Sequence, residues 1–363
     1  MQVSIRRLSP DSREDMDQWR GLYRIVFGRE YPEQVWEWKY LENPYNDADG
    51  PLIYVAEADS RIVGARSLLP SVVAVSYGQR MEWLKACQFN NAMVHPDFRH
   101  GGVFTKITTH SIEDARRRGY KIAYGYPNHQ SLPGHIKMGC TYLGRLRRCA
   151  MLINVKAIVG DYLTRRGVPR FAQKAALPIA EIAVSLALPG EKLGHYRLEH
   201  GPVQRFAEEI ASLHLSDVAR QGIYGQRSIE FLAWRFRRPD RDYRCYALYE
   251  SDRMAGYLAA YINAVSQSAS ILDIYAPGWN RQILARLLRG TLEHLKGQSC
   301  SSLQISLLDR TWPLKALFSP RHAVWRTNLN VHLIAYSLSE EIDPVLFRDR
   351  GNWYLQQADQ SPF

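Results

Sequence analysis

The stretch Val94-His95-Pro96-Asp97-Phe98-Arg99-His100-Gly101-Gly102-Val103-Phe104 gathers residue types suited to holding an anion. It leaves a run that reads as a strand, Gln88 to Val94, and enters one with helical spacing, Gly102 to Arg118. The first turn of a helix has backbone N–H groups without intrahelical partners, and the dipole adds positive potential there. Gly101 and Gly102 carry no Cβ, so a phosphate oxygen can approach the backbone. Arg99 adds a fixed charge that grips phosphate through two N–H groups. No Gly-Lys-Ser or Gly-Lys-Thr follows, so this is not a Walker loop, and the dinucleotide G-x-G-x-x-G pattern is absent.

Proton-transfer candidates lie downstream and upstream of that loop. Asn128, His135 and Gly139 follow one another at spacings of seven and four residues. The Asn128 side chain can cap the short helix that follows or bond a ligand. An imidazole at position 135 can accept or pass a proton near neutral pH; the competing reading is a histidine on the exposed side of a helix. Tyr126 and Tyr124 are further acids, each equally readable as core packing. A carboxylate base is harder to find: Glu82 and Glu57 are the nearest acids, and Gln88 and Asn90 share one side of their strand, where they can orient an acceptor or a water. His95, His100, His110 and His129 have no metal-ligand spacing, and no metal is expected.

These groups must be positioned by a regular frame. Gln2 to Leu8 alternates as a strand, and Ser12 to Phe27 is a helix with Met16, Trp19, Leu22, Tyr23 and Val26 on one side. Pro32 to Leu41 is a second helix, Leu52 to Glu57 and Arg61 to about Val75 form a hairpin, and Ile122 to Tyr126, Ser131 to Met138 and Tyr142 to Arg147 read as strand, helix and strand. The order is β-α-α-β-β-β-α-β-α-β. The frame then repeats. Trp36-Glu37-Trp38-Lys39-Tyr40 with Pro44 returns as Leu232-Ala233-Trp234-Arg235-Phe236 with Pro239, and Gly64 returns as Gly256. Val94-His95-Pro96 is matched by Tyr275-Ala276-Pro277, but the second copy continues Gly278-Trp279-Asn280 without the arginine, and Trp279 stands where a backbone should meet phosphate. The second copy is therefore expected to keep the frame and lack the anion site, its Trp234, Trp279, Trp312 and Trp325 serving packing.

The chain has 363 residues, 46% of them hydrophobic, which suits two folded domains. No apolar run reaches the roughly 20 residues a bilayer span needs, and the start lacks a signal peptide's apolar segment. The five cysteines, odd in number and scattered, suit a reducing cytoplasm. The net charge of +11 is spread evenly, so no nucleic-acid surface is expected, while an anionic ligand is well served. Between the copies, Val155, Ile158, Val159, Tyr162 and Leu163 have helical spacing broken by Pro169, Pro178 and Pro189. The stripe Arg166, Arg170 and Lys174 reads as the solvated face of this linker rather than a membrane surface.

Arg99-x-x-Gly102-x-Phe104 after a strand ending Val-x-Pro resembles motif A of the GNAT acetyltransferase superfamily, R/Q-x-x-G-x-G/A, with Phe104 departing from the pattern. Asn128, His135 and Gly139 resemble the Asn, Tyr and Gly of the following helix, with His replacing the Tyr that protonates the cofactor thiolate. The resemblance implies an α+β, or α/β, fold of two tandem GNAT-like domains, each a mixed, mostly antiparallel twisted sheet flanked by helices: 1–150 binding acetyl-CoA, a helical linker 151–200, a degenerate 201–340, and a tail 341–363. It implies a cofactor site formed by Met93, Val94, His95, Arg99, His100, Gly101, Gly102, Val103, Phe104 and Asn128, with His135, Tyr126 and Glu82 as the catalytic candidates. It implies direct transfer of an acetyl group from acetyl-CoA, as co-substrate, to a small-molecule amine. The phrase Tyr126-Pro127-Asn128-His129-Gln130-Ser131 makes an amino sugar the first acceptor to try. A FemX-type aminoacyl-tRNA transferase and a non-catalytic acyl-CoA sensor are the alternatives. In Eis-type relatives the terminal carboxylate enters the active site, and Ser361-Pro362-Phe363 is a weak match to that arrangement.

Overall fold

In the computed structural model, residues 3–78, 80–154, 160, 163–175, 177–178, 192–217, 220–298, 300–308, 314, 317–318 and 324–360 are described. Most of the linker prediction, Trp312 and the terminal Ser361-Pro362-Phe363 lie outside them; Arg166, Arg170 and Lys174 are exposed.

The first unit runs β1 (Ser4–Arg7), α1 (Arg13–Phe27), α2 (Glu33–Trp36), a π-turn (Glu37–Leu41), β2 (Leu52–Ala58), β3 (Arg61–Tyr77), β4 (Arg80–Val94), α3 (Val103–Arg117), β5 (Ile122–Gly125), α4 (Leu132–Lys137) and β6 (Thr141–Leu152). The sequence pattern explains these elements. Ser12 caps α1 by accepting from the Asp15 N–H, and Gly28 closes it at φ 68°; Met16, Trp19, Leu22 and Tyr23 are buried as their spacing requires. The strand expected from Gln88 begins eight residues earlier, since Arg80 to Cys87 extends the hairpin with β3.

The second unit contains β7 (Arg197–Gly201), α5 (Ala207–Ser216), β8 (Gly222–Gly225), α6 (Ile229–Arg235), β9 (Asp242–Glu250), β10 (Arg253–Asn263), β11 (Ser268–Tyr275), α7 (Arg281–Gly297), β12 (Ser302–Leu308), β13 (Val324–Ser337) and α8 (Pro344–Arg348). The strand order is β1-β2-β3-β4-β5-β13-β6-β12-β11-β10-β9-β7, with β8 added to the far end of β3. The order reads the same from both ends once β7 is matched to β1, β9 to β2, and so inward. Two tandem sheets were expected; instead one continuous sheet forms. It does so because β13 of the second unit inserts between β5 and β6 of the first, while β6 pairs with β12. Among the described strands, only β4 with β5 and β11 with β12 pair in parallel.

The repeated tryptophans meet on the axis relating the copies. Trp38 and Trp234 stack with centroids 5.3 Å apart, and each Nε1–H donates to the other's carbonyl at 2.7 Å. The repeated glycines share a task as well. A Cβ at Gly64 would lie 2.8 Å from Val103 of α3, and one at Gly256 3.2 Å from Ile283 of α7, so each lets the following helix lie close on the sheet.

Candidate acyl-coenzyme A and acceptor site

β4 and β5 are paired only from Ala86 to Phe89, and beyond that they part. At the same level β4 carries a bulge. Ala65 of β3 faces Met93 and Ser67 faces Asn90, so Arg66 stands opposite two residues, with Asn91 at φ 38°. The chain then makes a short turn at Pro96–Phe98 and reaches His100 (φ 66°) and Gly102 (φ 75°), the N-cap of α3. Gly102 offers no side chain to the first turn, the turn contains no acid, and Arg116 and Arg117 end the helix. The amides and positive dipole end therefore face the exposed Gly101-Gly102 surface, beside exposed Arg99 and His100. Met93 and Val103 are buried, and Val94 and His95 partly so, His95 bonded through its N–H to the Val63 carbonyl at 2.8 Å. Asn128 braces the turn before α4, whose N-cap is Ser131: its Oδ1 accepts from the Gln130 and Ser131 N–H groups at 3.1 and 3.0 Å.

Three expectations need correction. Phe104 does not lie along the loop. Its ring crosses to α4, where a Cβ on Gly134 would meet it at 2.8 Å, and it packs edge-on against His135. His135 is neither exposed nor fit to carry a proton. It is buried among Phe89, Phe104, Cys140 and Arg66, and that burial, with the Arg66 charge, pushes its pKa down to about 2. The Arg66 guanidinium is 1% exposed, 3.5 Å from the His135 Nε2 and 4.5 Å from the Phe89 ring; among the described residues it has no carboxylate partner, and burial lowers its pKa to about 10. Glu82 is displaced as well. It is exposed far down the hairpin, opposite Val75 where β8 also joins, because β4 is longer than its apolar part suggested. Glu57 is engaged by Arg6 at 2.8 Å.

The other face of β4 and β5 borders a small pocket between the units, whose enclosed space of about 20 Å³ has room for about one water. Gln88, Tyr124, Lys39 and Tyr45 line it from the first unit, Gln226, Phe231 and Arg235 from the second, and Asp359 and Gln360 from the tail. Tyr126 lies on this side against Tyr124, buried, with a hydroxyl that forms no ordinary hydrogen bond to the described residues; burial keeps its proton on far above the usual range. The tail is built into the fold as far as it is described. Arg227 binds Asp273 at 2.6 Å and Asp359 at 2.7 Å, Arg235 donates to the Ala358 carbonyl at 2.8 Å, and Gln356 exchanges two bonds with Ile274.

Lys39 escaped the sequence reading as a functional residue. The only available sign was a lysine between two aromatics in a repeated triplet. The π-turn turns Trp38, Lys39 and Tyr40 all inward, and the Lys39 Nζ donates to Asn90 Oδ1 at 2.8 Å.

The equivalent loop of the second unit is filled from within. Asn280 Oδ1 accepts from the Gln282 and Ile283 N–H groups, the Asp217 carboxylate accepts from the Gly278 N–H at 3.0 Å, and Trp279 stacks on Tyr354. Among the described residues no cluster of three His, Cys, Asp or Glu could hold a metal, and no helix is long and apolar enough to cross a membrane.

The family model described as the acetyltransferase (GNAT) domain matches residues 5–142. The first unit is a GNAT domain. Solved structures extend this fold over almost the whole chain. A GCN5-related N-acetyltransferase from Anabaena variabilis aligns with TM-score 0.63 at 12% identity, covering 93% of this chain and 73% of that one. A probable N-acyltransferase from Enterococcus faecalis aligns with TM-score 0.65 at 13% identity, over 93% and 72%. A tandem GNAT protein of the clavulanic acid biosynthesis pathway aligns with TM-score 0.53 at 13% identity, over 94% and 100%. Comparison with curated protein sequences gives no match. The tandem GNAT architecture thus accounts for both copies, and the GNAT domain places the chain's first unit among acyltransferases.

Proposed function

We propose that this protein transfers an acyl group, acetyl first, from acyl-coenzyme A held by the GNAT unit to a primary amine bound in the cleft between the units. The observation that carries the proposal is the uncapped glycine N-terminus of α3, standing at the mouth of the gap where parallel β4 and β5 part. Arg99, His100, Gly101 and Gly102 would hold the pyrophosphate there. The ring of Phe104 occupies the space between α3 and α4 that the pantetheine arm needs. Binding therefore includes turning this half-buried ring outward to solvent. His135 then has a packing role, and the un-ionised Tyr126 hydroxyl is available as a hydrogen-bond donor to the departing thiolate, whose proton comes from the nitrogen as the amide forms. Bringing amine and thioester together supplies much of the acceleration, up to about 7–11 kcal/mol.

The pocket lining combines aromatic side chains, Tyr45 and Phe231, with amides and hydroxyls from Gln88, Gln226 and Tyr124, a chemistry that would recognise a polar ring-shaped amine such as an amino sugar once the walls part to admit it. The second unit, with its loop closed by Asn280 and Asp217, serves as a wall of this cleft and needs no cofactor of its own. Five buried cysteines, with no disulfide among them, accord with a reducing cytoplasm.

One observation favours a second reading, a non-catalytic acyl-CoA sensor: the Phe104 ring and the sealed His135 close the arm's path. Acetyl-CoA calorimetry and a thiol-release screen across amines, led by amino sugars, separate the two. Acetyl-CoA binding with CoA release on one amine class supports the transferase, and tight binding without release on any supports the sensor. No binding to the wild type or to Phe104→Ala refutes both. Phe104→Ala should tighten acetyl-CoA about tenfold, since the ring no longer has to be displaced; weaker binding would make the ring a contact rather than an obstacle.

A further inference from the structure

The acceptor enters as an ammonium ion and must lose a proton before its nitrogen can attack. The β4 face toward the cleft offers amides, Gln88 and Asn90, and no carboxylate. Asp359 is the acid in the cleft lining, and both of its oxygens are committed to Arg227, with one also accepting from the Gln356 N–H. Lys39 reaches the same place from the π-turn. Its amine is 2% exposed, touches Asn90 immediately before the bulge, and has no acidic partner among the described residues. Of the charged groups around it, Arg238 is a like charge and Arg235 lines the pocket with it; the Tyr31 and Tyr40 rings, 5.9 and 5.1 Å away, give only weak cation–π support to an ammonium, and their hydroxyls are held protonated by burial, so they supply no counter-charge. Burial first, then Arg238, lowers the Lys39 pKa well below its ordinary value, which favours the amine over the ammonium.

The duplication supplies an internal contrast. Arg235, at the matching position, is equally buried, but it stands in an ordinary helix and its N–H groups are taken up by the carbonyls of Gln357, Ala358 and Gln360. The first copy has a lysine there, aimed at β4, with a single hydrogen bond to an amide oxygen.

We propose that the Lys39 Nζ is the base that accepts the proton of the acceptor's ammonium in the cleft. The inference rests on the acyl-transfer reading given above. The acceptor N–H bond breaks as the Lys39 N–H bond forms, and the freed amine attacks the thioester carbonyl. A C–N bond then forms, the C–S bond breaks, and sulfur leaves with the electron pair. Of the two protons the ammonium loses, one passes from Lys39 to solvent through the cleft mouth. The other, shed as the amide forms, ends on the thiolate.

Two variants test this, Lys39→Met and Lys39→Arg, with acetyl-CoA affinity measured beside turnover on the amine that the screen identifies. Both are expected to lower kcat about 10²-fold or more with unchanged acetyl-CoA Kd. Both should also move the fall of kcat/KM toward acid pH upward, to the acceptor's own deprotonation, so that activity recovers only in alkali. Wild-type turnover or an unchanged acid limb in Lys39→Arg overturns the proposal. A second measurement needs no acceptor. A folded-state pKa below the unfolded value makes the wild type gain stability as pH rises from 7 to 10, whereas Lys39→Met lacks that gain. The Tm difference between them should therefore shift in favour of the wild type with rising pH. A constant difference overturns the neutral amine even if the transferase reading stands; absence of turnover with a shifting difference overturns the transferase reading and the base with it.

Discussion

The loops at 99–104 and 278–283 begin helices of matching position on matching strands, yet one is open and the other is closed by its own residues. In the second unit Asn280 caps α7 and Asp217 occupies the preceding amide, so the helix end is satisfied by protein oxygens. In the first, Gly102 brings no side chain and the turn has no acid. Evolutionary copies of one frame can thus differ at two or three residues and differ completely in what their helix ends have left to offer. Under the proposed function, a bound anion at one end would take the place of the cap at the other.

The contrast can be attacked directly. Gly102→Asp puts a carboxylate, and a side chain at positive φ, where phosphate belongs; acetyl-CoA affinity by calorimetry should fall more than 100-fold, while Gly278→Asp in the other copy should leave it unchanged. Equal losses in both would end the distinction. Arg227→Met probes what the second unit does with its interior: it leaves Asp273 and Asp359 buried without their counter-charge, and a loss of about 3–5 kcal/mol is expected in urea unfolding. The first unit's sealed imidazole predicts a pH effect. With the His135 pKa depressed to about 2, the unfolded chain binds a proton below about pH 6.5 that the fold rejects. Wild-type stability should fall with decreasing pH by up to about 1.4 kcal/mol per unit relative to His135→Phe. A parallel pair of pH curves would show that the ring reaches water. The smallest effect belongs to Asn280→Ala, about 1 kcal/mol of stability lost from the cap with acetyl-CoA affinity unchanged.

Much of this was legible from residues alone. Period and capping gave α1, and the Val94-to-Phe104 junction gave the strand–loop–helix correctly. The aromatic-basic-aromatic triplet gave the duplication, because Trp38 and Trp234 must pack against each other. Other features leave no local trace. His135 sits on a six-residue helix too short for a face to be assigned, and its burial depends on Phe104 arriving from another element. Lys39 is turned inward by a π-turn that a 3.6-residue period cannot anticipate. Glu82 was misplaced because polar residues continue β4 beyond its apolar run. The partners of β6 and β13 were beyond reach, since alternation specifies which face of a strand is buried and not which strand lies beside it.

That crossing of strands sets a schedule for the chain's birth. When a ribosome has released all the residues of the first unit, its sheet still has an open slot beside β5, to be filled by a segment made almost two hundred residues later. Until then two edges stand bare, and neither half is a finished object that could be cut out, shuffled to another gene or lost without the other.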